Sequence, residues 1–114
     1  MTADKFLPKP FRPDHINICG CNYTITYHDN FHEVNGEGER DLYGKINHQT
    51  CTIKIYDRNR DEGAVFEVVV HEMLHGIFDK IGMQEMNSND NEEIVERIGV
   101  ALSDTLRRNS WLRV

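Results

Sequence analysis

The amino-acid sequence predicts an α+β domain: a small antiparallel sheet of N-terminal strands and hairpins, packed on two C-terminal helices. Three observations carry this. Residues 15–28 and 42–57 alternate apolar and polar side chains with period two and are interrupted by turn residues. Residues 63–81 and 92–108 then switch to helical patterning over lengths too great for single strands. Strands come first and helices second, so the two kinds of element are segregated along the chain.

The elements follow in order. Pro8, Pro10 and Pro13 make residues 1–13 an extended arm, either a tail, a cover for a sheet edge or a strap across a cleft. In residues 15–28, Ile16 and Ile18 alternate, Gly20 and Asn22 mark a turn or bulge, and Tyr23, Ile25 and Tyr27 resume the alternation. Residues 32–41 are polar with two glycines and read as a surface loop. Residues 42–57 form the clearest hairpin. A first strand ends near Ile46, residues 47–50 turn, and Cys51, Ile53 and Ile55 line one face of the return strand. Asp61 and Glu62 bring negative charge to a helix start. Residues 63–81 are apolar around most of the helix circumference, which predicts a central buried helix that stops at Gly82. The run Val68, Val69, Val70 favours a strand locally, and tertiary packing is expected to overrule it. After a polar link at 83–91, a second helix over 92–108 puts Ile94, Val95, Ile98, Ala101, Leu102 and Thr105 on one face.

Composition narrows the function. The 114 residues suit one domain with one core, 39% hydrophobic and 28% charged. A net charge of −6 argues against nucleic-acid binding, which needs a basic face. Arg107, Arg108 and Arg113 are a local exception that offsets the negative end of a helix. No signal-peptide pattern or membrane-length apolar run is present, so a cytoplasmic protein away from membranes is expected. Cys19, Cys21 and Cys51 are an odd number and not a closed disulfide set. As a metal site their spacing departs from the usual structural pattern, and small buried thiols are the expectation.

One stretch carries chemistry. His71-Glu72-Met73-Leu74-His75 fits H-E-x-x-H. On a helix, residues four apart stack with Cβ atoms about 6 Å apart, so both imidazoles reach one Zn2+ at roughly 2.0–2.1 Å. Glu72 is turned about 100° away, too far to join the ligands but able to reach a water. Burying two imidazoles among valines and isoleucines costs several kcal/mol unless the ring nitrogens find partners, and a metal removes that cost. A catalytic zinc needs a third protein ligand. Glu92, Glu93 and Glu96 are the candidates. Glu92 sits nearest the edge of the packing face, and Asp90 with Glu93 forms a D-x-x-E capping box that employs Glu93. Glu92 is therefore favoured, with Glu93 as the alternative.

H-E-x-x-H followed by NEEIVE at 91–96 resembles the zincin metallopeptidases of gluzincin type, where a glutamate on a following helix completes the site. The small size and element order are most similar to minigluzincins and to phage- or prophage-encoded ImmA/IrrE-like and SprT-like groups, over residues 42–108. The resemblance implies a zincin-like fold, with His71, His75 and Glu92 as Zn2+ ligands, Glu72 as catalytic base and Glu96 as an acid beside the ligands. It implies hydrolysis of a protein or peptide substrate. Tyr43, His48 and Tyr56 are candidate oxyanion donors, and the edge of the hairpin at 42–56 is the candidate seat for substrate backbone. A zinc-bearing binding or regulatory module with little turnover is the alternative function, and a zinc-free domain with a chance motif is the third.

Overall fold

The computed structural model describes residues 7–35, 43–83 and 88–113. The elements are β1 (His15–Ile18), β2 (Cys21–His28), α1 (Phe31–Asn35), β3 (Gly44–Asn47), β4 (Thr52–Tyr56), α2 (Glu62–Lys80) and α3 (Ser88–Arg108), followed by a 3-10 turn at Ser110–Arg113. The class is α+β, as expected, but the sheet is mixed and not antiparallel. Its order is β1-β2-β4-β3. The two hairpins β1–β2 and β3–β4 are antiparallel, and β2 runs parallel to β4 with Ile25 opposite Ile53. Burial explains the join. Tyr23 and Ile25 on β2, with Ile53 and Ile55 on β4, are almost fully buried, and they bury best as neighbouring central strands. The segment from β2 to β4 holds α1 and β3, longer than the dozen or so residues a parallel crossover requires.

Local chemistry fixes the turns. Cys19 (φ 52) and Gly20 (φ 90) are both left-handed, the signature of a two-residue hairpin turn. The Gly20 N–H donates to Asn17 Oδ1 at 2.8 Å. In the second hairpin Asn47 Oδ1 accepts from the N–H groups of Gln49 and Thr50 at 2.9 and 3.0 Å. α1 replaces the first part of the expected loop at 32–41. Asn30 Oδ1 accepts the His32 N–H at 2.8 Å, and Phe31 stacks on Tyr56 with centroids 3.9 Å apart. Residues 36–41 of that loop lie outside the described residues.

α2 is the spine of the molecule. Val65 and Val69 pack on the sheet beside Ile53 and Ile55, while Val70, Leu74 and Phe78 pack on Val95 of α3. Contacts on two sides outweigh the strand preference of the valine run. Its last turn closes with Met83 N–H donating to Phe78 O at 2.8 Å and Gly82 N–H to Asp79 O at 3.3 Å, the paired bonds of a Schellman motif. Asp61 caps the other end, accepting from the Ala64 N–H at 2.8 Å. Asp61→Ala should lower the unfolding free energy by about 1 kcal/mol, read as a shifted urea midpoint with an unchanged slope.

α3 departs from expectation in two respects. It begins at Ser88, so part of the expected link at 83–91 is helical, and residues 84–87 lie outside the described residues. Asp90 therefore falls inside the first turn and not at the cap; its side chain lies outside the described set, and Glu93 pairs instead with Arg97 at 2.8 Å. The packing face is also rotated. Val95, Gly99 and Ser103 are buried and Leu102 is half-buried, whereas Ile98 is 42% exposed and Ala101 and Thr105 face solvent. Gly99 lies directly against α2, where even a Cβ would be in ordinary contact with Leu74 Cδ1 at 3.7 Å and the His71 Cα at 3.8 Å. Small residues turn inward so that the two helix backbones approach closely.

Of the arm, residues 1–6 lie outside the described residues. Phe11 meets Phe66 edge-on at 5.4 Å, and Arg12 pairs with Asp57 at 2.8 Å and Glu62 at 3.4 Å. The described part of the arm is thus tied to the start of α2. The expectation of buried thiols is corrected: Cys19 is exposed, and Cys21 and Cys51 are half-buried with their Sγ atoms 3.4 Å apart. Among the described residues no helix is long and apolar enough to cross a membrane.

Candidate metal centre

α2 carries His71 and His75 one turn apart, with ring centroids 5.0 Å apart and ring planes at 68°. α3 runs back along α2 and brings Glu92 over the pair. His71 Nε2 lies 2.8 Å from Glu92 Oε1, and His75 Nε2 lies 3.0 Å from Glu92 Oε2. Glu96, one turn further along α3, sets its Oε2 3.2 Å from His71 Nδ1. One donor atom from each of His71, His75 and Glu92 falls within 4.8 Å of the others. Among the described residues no other three His, Cys, Asp or Glu side chains converge in this way, the cysteines included. Glu93 points elsewhere, to Arg97.

The donor chemistry fits a zinc-type ion. Two imidazole nitrogens and one carboxylate match the protein half of a catalytic zinc site. Tetrahedral arms of roughly 2.0–2.1 Å put ligand atoms about 3.3 Å apart, and the observed nitrogen–oxygen separations fall only slightly short of that. Burial holds the His75 imidazole below its usual pKa, partly opposed by the Glu92 charge. This favours the neutral ring, which is the ligating form.

Glu72 stands apart from the three converging donors and turns toward the sheet, where it is only 5% exposed. It fits because Gly44 has no side chain: a Cβ there would stand 3.0 Å from Glu72 Oε2 and 2.7 Å from Val68 Cγ1. Burial, with a further contribution from the Glu92 charge, pushes Glu72 up to about 8. His71, Glu72 and the start of β3 meet at one cleft of about 290 Å³, lined by Tyr43, Gly44, Arg60, His71, Glu72 and Glu92 among others. β3 is the last strand of the sheet, so its outer edge is unpaired among the described residues.

Of the three oxyanion candidates, Tyr43 lines this cleft. His48 does not; its Nδ1 lies 3.2 Å from the Tyr23 hydroxyl and 3.9 Å from Asp79. Tyr56 is committed to its stack with Phe31. The described arm residues do not line the cleft either. No sequence signal marks Arg60, which lines the cleft with its Cζ 3.8 Å from the centroid of the Tyr43 ring. It stands in a short connection with no periodicity to mark its direction.

No protein-family model, no curated protein and no solved structure matches this chain.

Proposed function

We propose that the protein is a zinc-dependent peptidase with a zincin-like, gluzincin-type centre. One observation carries this reading: His71, His75 and Glu92 converge at donor spacing, and Glu72 opens onto the adjoining cleft beside a strand edge that no described residue pairs with. His71, His75 and Glu92 would hold the ion. When bound, Zn2+ supplies Lewis acidity that makes water acidic near neutral pH and polarises a carbonyl. The chain supplies the rest. The outer edge of β3 receives an extended peptide by strand addition. Glu72 accepts the proton of the attacking water and delivers it to the leaving amine. Glu96 orients the His71 ring through Nδ1, the usual task of an acid behind a ligating histidine. Tyr43, the oxyanion candidate that lines the cleft, would donate its hydroxyl to the developing oxyanion. The reading brings a protein or peptide substrate, and a cytoplasmic setting, which three unpaired thiols suit.

The alternative is a zinc-bearing binding or regulatory module with little turnover. Its support is the protonation of Glu72, since a carboxyl with a pKa of about 8 is mostly neutral at pH 7 and a neutral carboxyl is no base. Bound cation would pull that proton off.

Elemental analysis of untagged protein tests the centre. One zinc per chain is expected, and Glu92→Ala should weaken retention beyond the roughly 10–100-fold lost with outer-shell partners. Unchanged zinc in that variant would remove Glu92 from the ligands. A folded wild type with no affinity for zinc would end the reading.

A further inference from the structure

We propose that Arg60 forms a carboxylate-binding subsite in this cleft, so that the preferred peptides carry an anionic group. The inference rests on the peptidase reading and names its substrate class. Four observations support it. Arg60 lines the same cavity as His71, Glu72 and Glu92. Its guanidinium lies over the Tyr43 ring with Cζ 3.8 Å from the centroid. Its Nε is buried and has no hydrogen-bond partner. Finally, it makes no ion pair with any described acid, whereas Arg12, Arg97 and Arg108 each hold a carboxylate at 2.8–2.9 Å.

The physical case follows from what a guanidinium requires. Arginine stays charged at all working pH values and offers five N–H donors in a flat fork. Stacking on an aromatic ring fixes that plane and leaves the edge N–H groups free to donate. A partly desolvated cation with a donor left over is costly, and an incoming carboxylate relieves the cost through paired, charge-assisted bonds. The lining otherwise holds four acids, Glu67, Glu72, Glu92 and Glu96, and the imidazole of His71. Arg60 is therefore the one arginine or lysine among the lining residues, and it marks where an anion is welcome. The carboxylate has two sources: the C-terminus of a peptide, which makes the enzyme a carboxypeptidase, or an Asp or Glu side chain, which makes it an acid-selective endopeptidase.

The test uses full-length Glu72→Gln protein loaded with zinc, so that binding is read without turnover. N-acetylated mixed-sequence peptides are offered in three forms: free C-terminal carboxylate, C-terminal amide, and C-terminal amide with one fixed Asp. Binding is followed by fluorescence anisotropy, and zinc by elemental analysis. One acidic form should bind about tenfold more tightly than the plain amide, and which form does so identifies the source. Adding Arg60→Gln should erase the difference with zinc content unchanged, and Arg60→Lys should restore only part of it, because a point charge lacks the fork. Equal binding of all three forms by zinc-loaded protein, or a preference that survives Arg60→Gln, overturns the subsite and leaves the peptidase reading standing. A chain that takes up no zinc overturns both.

Discussion

Glu72→Gln should abolish peptide hydrolysis while the zinc stays in place. The substitution conserves volume in a tight setting, between Gly44 and Val68, and removes only the ability to take a proton. General bases contribute roughly 10²–10⁴-fold to rate, so a loss in that range is expected. The carboxyl is not among the converging donors, so metal content should match the wild type. The measurement pairs initial rates on an unfolded protein substrate with zinc per chain. Equal rates for both proteins would take Glu72 out of the mechanism. Loss of zinc together with rate would instead make it a ligand. A zinc-loaded wild type without any turnover would favour the regulatory module.

Metal-free protein should lose stability as pH rises from about 5 to about 8, and metal-free Glu72→Gln should lose far less. In the unfolded chain Glu72 titrates near its ordinary value of about 4.3, whereas in the fold burial raises it to about 8. Between those values the folded state keeps a proton that the unfolded state has released. Unfolding then releases a proton, and raising the pH favours it. The full window corresponds to a penalty of roughly 3–5 kcal/mol. His75 acts in the opposite sense at the acid end. Its depressed pKa means that unfolding takes up a proton below about 6.5, which softens the slope there. Urea unfolding of chelator-treated protein across this range reads the effect, and parallel slopes in the two proteins would refute it. Zinc should reverse the trend, since ligand sites fill best when the rings and carboxylate are deprotonated.

What could be read in advance was whatever depends on neighbours in sequence. The hairpin at 42–57 announces itself through alternation and Asn47, and α2 through its length, Asp61 and Gly82. The nearness of Glu92 to His71 and His75 follows from helical geometry plus one packing assumption. The rest depends on partners distant in the chain. Period two in β2 and β4 says that each has a buried face, but not that they lie side by side and parallel. α1 is five residues long and gains its stability from Phe31 stacking on Tyr56, a contact no local pattern encodes. The rotation of α3 is not legible because helical periodicity favours apolar Ile98, whereas the inward turn of Gly99 depends on its contact with α2, distant in the chain. Arg60 is illegible for a similar reason: its direction is set by the Tyr43 ring on which it stacks.

The placement of α3 has a consequence for how the centre is assembled. Among the described elements α3 packs on α2 and on the short turn that follows it, with no strand beneath it. It is a flap held to the rest of the described fold through α2, and the carboxylate that bridges to the histidines sits near its leading end. An ion captured there would act as a rivet between flap and spine, so fastening this helix and arming the cleft would be the same event. A chelator could then unlatch the flap while leaving the sheet beneath α2 undisturbed.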